Sequence, residues 1–274
     1  MATSTYTRDP APVRWGLRIV TVSYVVLLVA WPTALVFKNA LVDGVGAMFH
    51  AFVEPEIAHA LYLTAYITFF AVLINLLFGL TISILLVRYD FPGKRLLSAL
   101  LDVPLSVSPV VVGLALVLVY NGRDGWFGPA LESAGFQIIF STTGMIMATV
   151  FVALPLMIRE VVPVLEELGD DQEQAARSLG ANGAQTLRRI TLPAIKWAIV
   201  YGVVLSLAMS LGEFGAVKIV SGNIAGQSQT ATLSVEETYQ NFQPETAYAL
   251  AALLAFIAMA CLVIVAILRP KEES

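Results

Sequence analysis

Long runs of apolar residues, separated by short polar segments, dominate the pattern of this chain. A run of about 20 apolar residues is enough to cross a bilayer as a helix, and six runs reach that length. They are continuously apolar instead of alternating, which favours helices over the strands of a membrane barrel. The six predicted spans are about 19–37, 60–87, 96–120, 138–158, 195–217 and 247–268. The pattern therefore predicts an all-α, polytopic membrane protein with six transmembrane helices.

The composition supports lipid as the solvent of this protein. Apolar residues make up 58% of the chain and charged residues 13%, against roughly 45–50% and 25% in soluble domains. Such an excess cannot be buried in one soluble core of 274 residues. The net charge of −4 does not indicate nucleic-acid binding. We predict one transmembrane domain over 19–268, an arm over 1–18 and a tail over 269–274.

The lysines and arginines predict the orientation of the spans. Bases near the ends of spans are enriched on the cytoplasmic side. Thirteen of the 16 bases fall on one predicted side of the membrane, and only Lys38, Arg123 and Lys218 fall on the other. Both termini and the long polar connection between the fourth and fifth spans, about 164–194, are therefore predicted to be cytoplasmic.

That connection contains a short, polar, alanine-rich helix. Asp170 and Asp171 suit its N-terminus, where carboxylates meet unpaired N–H groups. Gly180 suits its end, because glycine adopts the left-handed conformation that closes a helix. One interpretation is a solvated connector folded back on the bundle. The other is a docking helix whose small residues enter a partner's cleft, with charges such as Glu173 and Arg177 on the rim.

The spacing of this helix resembles the cytoplasmic signature of ABC importer membrane subunits. That signature reads E-A-A, three residues, G, nine residues, then I-x-L-P; here Gly180 and Ile190 stand at the required spacing, and Gln174 replaces the usual glutamate. The resemblance implies docking on a separate ATPase. The residues that it assigns to this contact are Glu173, Gln174, Ala175, Ala176, Leu179 and Gly180.

The sequence contains no recognisable motif for nucleotide binding, nucleophilic catalysis or metal binding. We find no G-x-x-x-x-G-K-[ST] phosphate loop, no nucleophile elbow and no metal-binding spacing of histidines and cysteines. No enzymatic activity, metal or cofactor is therefore predicted for this chain. If the docking interpretation holds, ATP is bound by the partner.

Two irregular membrane segments are candidates for a translocation path. Pro104 and Pro109 must bend the third span, and irregular backbone at membrane depth is tolerated where it lines a wet cavity or is buried in protein. The candidates there are Ser106, Ser108 and Pro109. In the fifth span, two glycines flank Glu213. It is predicted either as part of a gate or as a helix end in outside water.

Four further segments carry a closer resemblance. They are Arg88–Gly93, Asp102–Gly113, Gly212–Val217 and Val220–Ile224. Together they resemble the membrane subunits of bacterial sulfate/thiosulfate importers, most nearly the CysW type, over about residues 15–268. The resemblance implies a type I ABC importer permease fold in the bacterial inner membrane. It also implies as partners two ATPase copies, a second permease of the CysT type and an extracytoplasmic sulfate-binding protein.

Other functions remain open alternatives. Molybdate permeases share the Gly-Glu-Phe-Gly and Pro-Val-Val-x-Gly themes, so molybdate or another oxyanion is an alternative cargo. An ATP-independent secondary transporter or channel would usually show inverted repeats or charged relays within the membrane, and neither is evident. A membrane enzyme is disfavoured by the lack of a catalytic constellation.

Overall fold

The computed structural model describes residues 11–42 and 44–268, and all regular structure within them is helical. The predicted all-α class is therefore confirmed. Most of the predicted arm, residues 1–10, and the predicted tail, residues 269–274, lie outside the described residues.

The first eight helices are α1 Ala11–Val25, α2 Trp31–Ala40, α3 Gly44–Val53, α4 Pro55–Arg88, α5 Lys94–Ser106, α6 Pro109–Tyr120, α7 Gly128–Ser133 and α8 Thr142–Leu168. The others are α9 Asp171–Ser178, α10 Gly183–Thr186, α11 Leu192–Ala194, α12 Lys196–Leu211, α13 Gly215–Ser221, α14 Ala231–Gln240 and α15 Pro244–Leu268. Two π-helical turns, Val26–Ala30 and Leu187–Thr191, join α1 to α2 and α10 to α11.

Four stretches are unbroken helices that are long and apolar enough to cross a membrane: Pro12–Ala40, Pro55–Arg88, Thr142–Leu168 and Pro244–Ala266. Two more spans exist only if bent pairs count as one. The α5–α6 pair is bent by 115°, and the pair formed by Gly183–Ala194 and Lys196–Leu211 is bent by 71°. Each of the six predicted spans overlaps one of these helices or pairs.

The bend that we expected in the third span is a complete break. Pro109 is the first residue of α6, and the residue before a proline is pushed out of the helical region. Ser108 accordingly has φ −59° and ψ 136°. Pro104, in contrast, stays inside α5. At 13 and 12 residues, α5 and α6 are about 20 and 18 Å long, so neither crosses about 30 Å of hydrocarbon alone.

The centre of the fold is the packing of α4, α8 and α12 around Met157, which is fully buried. A Cβ added at Gly79 of α4 would lie 2.7 Å from Met157 Cγ, and one at Gly202 of α12 would clash with Met157 Sδ. Small residues therefore let the three helices approach closely. Such residues are common between membrane helices, because lipid is as apolar as the side chains and the helices associate through close packing instead of the hydrophobic effect. In the first span, Pro12–Ala40, residues 12–32 are exposed, whereas Ala40 at its end is buried.

Candidate functional site: a docking helix and two helix breaks

The short polar helix predicted in the connection between the fourth and fifth spans is present as α9, Asp171–Ser178, and backbone hydrogen bonds close its end. Gly180 has φ +90°, the left-handed conformation that we expected. Its N–H donates to the Arg177 carbonyl at 3.0 Å, and the Ala181 N–H donates to the Ala176 carbonyl at 3.0 Å. This pair of bonds is the Schellman motif, in which glycine avoids the cost of a Cβ. The turn after α9 is therefore rigidly specified.

The next helix, α10, begins with a reciprocal cap. The side chain of Asn182 accepts the Gln185 N–H at 2.9 Å, and the Gln185 side chain accepts the Asn182 N–H at 2.9 Å. This capping box satisfies two backbone donors that a helix start would otherwise leave unpaired. The chain from α9 through α10 is thus a helical hairpin whose turn is fixed by hydrogen bonds.

One face of α9 is open. Gln174 and Ala175 are exposed, Ala176 is half-buried, and Leu179 is 90% exposed. A leucine this open, next to small alanines, offers an apolar contact that nothing within the described chain covers. The arrangement suits insertion into a cleft of another protein, because small side chains permit close approach and the leucine buries apolar area.

Glu173 points the other way. We expected its carboxylate on the rim of a partner's cleft, but the residue is buried. Both carboxylate oxygens accept bonds from Arg88 Nε, at 3.1 and 3.2 Å, and Oε1 also accepts the Thr191 hydroxyl at 2.9 Å. The charge of Glu173 therefore faces the interior of this chain.

Arg88 is a residue whose part in the site the sequence did not reveal. Its Nη1 donates to the Leu165 carbonyl at 3.1 Å, and its Nη2 donates to the Gly169 carbonyl at 2.7 Å. These carbonyls lie at the end of α8, where helix acceptors lack intrahelical partners. In the sequence, Arg88 begins one of the segments that resemble the sulfate importers and is one of several bases at the end of a predicted span, but nothing there indicated that it would pair with Glu173.

The path candidates of the third span lie at its break. Ser106 and Ser108 are exposed, and the Ser106 hydroxyl donates to the Asp102 carbonyl at 3.3 Å. The Asp102 carboxylate pairs with Arg159 of α8 at 2.9 Å, and both side chains are more than half exposed. Pro109 is half-buried. The break thus presents two hydroxyls on an open surface.

The second break, between α12 and α13, holds Glu213 and lies against the first. A Cβ added at Gly215 would lie 3.1 Å from Pro109 Cβ, and one at Gly113 would lie 2.8 Å from the Ala216 carbonyl oxygen. Glycine at both positions permits this approach. The structure therefore brings Pro109 and the Glu213 segment together, although 104 residues separate Pro109 and Glu213 along the chain.

Glu213 itself does not face outside water, which was one of its two predicted places. It is 5% exposed, and its Oε1 accepts the Ala216 N–H at 2.9 Å. Its backbone carbonyl accepts the Thr232 hydroxyl at 2.8 Å. The carboxylate thus accepts a backbone N–H in the first turn of α13 and is buried in this structure.

A buried polar seam between α4 and α12 was also missed. Asn75 Nδ2 donates to Ser206 Oγ at 3.0 Å. Asn75 Oδ1 and the hydroxyls of Thr68 and Ser210 have no hydrogen-bond partner among the described residues. An asparagine in a span without charges was the sequence signal, since polar side chains inside spans commonly bond between helices.

These features define a class: a polytopic helical membrane subunit with an exposed helical hairpin between its fourth and fifth predicted spans. The described residues include no group of three histidine, cysteine or acidic side chains that could hold a metal. The chain belongs to the family described as binding-protein-dependent transport system inner membrane component, whose family model matches residues 75–271.

Similar proteins place the chain more narrowly within this family. It is 46% identical over 252 residues to the sulfate transport system permease protein CysW of Synechococcus elongatus, covering 92% of this chain and 88% of the relative. It is 37% identical over 201 residues to the corresponding CysT protein of Salmonella typhimurium, covering 73% and 72%. These relatives are named as transport permeases, not as enzymes.

A solved structure shares the fold. A chain from a bacterial alginate ABC transporter, solved in complex with a pentasaccharide-bound periplasmic protein, matches with a TM-score of 0.75 over 92% of each chain at 14% identity. At this identity the match establishes the architecture alone. The predicted ABC importer permease fold is thereby confirmed.

Proposed function

We propose that this chain is one permease subunit of an ATP-driven importer that carries sulfate or thiosulfate across the bacterial inner membrane. The observation that carries this proposal is the 46% identity, over 92% of the chain, to a sulfate permease. Molybdate or another oxyanion is the second candidate, because molybdate permeases share the glycine-flanked motif around Glu213.

The proposed coupling uses the open face of α9. Two copies of a separate ATPase bind ATP and close, and one of them receives Leu179 in an apolar cleft. Ala175 permits close approach. The turn at Gly180, held by two backbone bonds, keeps α9 from folding away under load. The movement then passes from α9 to the spans, so the chain needs no nucleotide site of its own.

The proposed path runs between this subunit and a second, related permease of the CysT type. The broken third span cannot line a path by itself, and its exposed hydroxyls at Ser106 and Ser108 need a facing wall. Neutral donors suit a dianion that must leave again, because a buried fixed cation would hold it strongly. An extracytoplasmic binding protein delivers the anion, and both termini lie in the cytoplasm.

The function is tested by reconstitution. Proteoliposomes that contain both permeases and the ATPase, with the loaded binding protein outside, should import labelled sulfate only when ATP is inside. Excess thiosulfate should compete and molybdate should not. Uptake without ATP would indicate a secondary transporter, and competition by molybdate alone would assign a different anion.

The docking helix is tested in the same system. Leu179→Asp should abolish ATP-driven uptake and reduce recovery of the ATPase through a tag on this chain, because a carboxylate would have to be buried in the apolar cleft. Val42→Asp is the control, since Val42 is 68% exposed and lies between α2 and α3, on the predicted opposite side of the membrane from α9. Normal uptake by the Leu179→Asp protein would contradict the docking of α9.

A further inference from the structure

Four segments of the chain meet at one ion pair beneath α9, and one of them, the end of α4, is distant in sequence from the other three. Arg88 is the last residue of α4, and Glu173 lies in α9. Leu165 lies in the last turn of α8 and Gly169 directly follows that helix, while Thr191 is the last residue of the π-helical turn before α11. We name this set of five residues the inner clamp.

Every nitrogen of the Arg88 guanidinium is used in the inner clamp. Nε donates to the Glu173 carboxylate, Nη1 donates to the Leu165 carbonyl, and Nη2 donates to the Gly169 carbonyl. A lysine could not make these contacts together, because its ammonium is a single point of charge and the guanidinium is a rigid fork. The cavity beside the pair measures only about 10 Å³, which is room for about one water.

Stability alone is a weak reason for such a pair. Removing two charges from water costs much of what their attraction returns, and apolar side chains of similar size are often as stabilising. What the pair adds is a fixed geometry between the segments that it joins. In the inner clamp, those segments are the docking helix and the inner ends of two spans.

We propose that Arg88 is a positioning residue that makes α9 move as one unit with the inner ends of α4 and α8. A push on the open face of α9 then reaches the spans instead of bending the hairpin locally. This inference rests on the proposed function, because it assigns to one residue the transfer of force from the ATPase. It predicts that loss of the inner clamp uncouples ATP hydrolysis from transport.

The test uses the complete reconstituted complex. The principal variant is the double substitution Arg88→Gln with Glu173→Gln, which leaves no unpaired buried charge; Arg88→Lys is the conservative variant. The control is Lys94→Gln, because Lys94 forms an exposed pair with Asp90 on the same side of the protein. Three quantities are measured: recovery of the ATPase with the tagged permease, sulfate taken up per ATP hydrolysed, and deuterium exchange of the amides of Asp171–Ser178.

The double variant should lower uptake per ATP by about tenfold, the effect of a typical coupling free energy. It should also speed amide exchange in α9 by about tenfold as the hairpin loosens. Arg88→Lys should fall between the double variant and the wild type, and Lys94→Gln should match the wild type.

Normal uptake per ATP together with normal exchange in the double variant would overturn the proposal. The same holds if only the amount of complex falls, because the clamp would then be structural. If the wild type itself fails to import sulfate, the proposed function fails. The exchange measurement then still decides whether Arg88 holds α9, because it requires no transport.

Discussion

Glu173 and Glu213 are both buried, with 7% and 5% of their surfaces exposed, yet the chain satisfies their carboxylates in different ways. Glu173 pairs with a guanidinium 85 residues away and with a hydroxyl 18 residues ahead. Glu213 accepts an N–H from a residue only three positions ahead. The two carboxylates are therefore similarly buried, but one is paired with a distant side chain and the other with the neighbouring backbone.

The difference shows what each carboxylate can control. An ion pair between distant segments fixes how those segments sit against each other, and the pair of Glu173 with Arg88 joins α9 to the end of α4. A carboxylate that accepts a hydrogen bond from the backbone three residues ahead fixes the conformation of one turn only. Glu213 therefore stabilises the break before α13. The first arrangement suits transmission of movement, and the second suits a stable local bend.

The largest expected effect is on the ion pair. Arg88→Met should lower the free energy of unfolding by about 3–5 kcal/mol, because it leaves Glu173 buried and unpaired. Combining Arg88→Met with Glu173→Leu should recover most of that loss, since the cavity is then filled by apolar atoms. Thermal unfolding of the purified subunit in detergent measures both. A double variant as unstable as the single one would show that the charge is not the cause.

A smaller effect is expected at Glu213. Glu213→Ala should cost about 1–3 kcal/mol, because the Ala216 N–H loses its acceptor in a buried place. Glu213→Gln is the matched control: its amide oxygen can still accept, so the loss should stay below about 1 kcal/mol. The same unfolding measurement applies. If glutamine proved as harmful as alanine, Glu213 would act through its charge and the contrast with Glu173 would disappear.

The smallest change in the free energy of unfolding is expected for an exposed ion pair, which is a reference for the two buried carboxylates. Lys218 and Glu236 form an ion pair whose side chains are 41% and 28% exposed. Glu236→Gln should change the unfolding free energy by about 0–1 kcal/mol, because solvent already screens the pair. Added salt should shrink even this difference. A loss as large as that of Arg88→Met would mean that burial does not rank these carboxylates.

Much of the fold could be predicted because it depends on local composition. A run of apolar residues must lie in lipid or in a core whatever its neighbours are, and all six predicted runs overlap helices or bent pairs. The left-handed residue at Gly180 was predictable for the same reason, since few other residues adopt that conformation without cost. The break at Pro109 was predicted only as a bend, because its 115° angle depends on packing against α13.

The candidate site could be predicted only in part. The spacing of the signature indicated where α9 lies, and Leu179 is as open as a docking residue requires. We expected the Glu173 carboxylate on the rim of a partner's cleft, and this expectation was wrong, because the carboxylate faces the interior of the chain. Period and spacing define a helix but not its rotation about its own axis, and that rotation is set by Arg88 at the end of another helix.

The sequence by itself determined the class of solvent and the number of apolar runs, which follow from transfer free energies and backbone preferences that act over a few residues at a time. The place of α9 and the family came from the resemblance of its motifs to those of known permeases. Only the tertiary structure decided which charges are buried, since burial requires distant segments to meet. Arg88 with Glu173, and Asn75 with Ser206, become partners only when α4 packs against its neighbours.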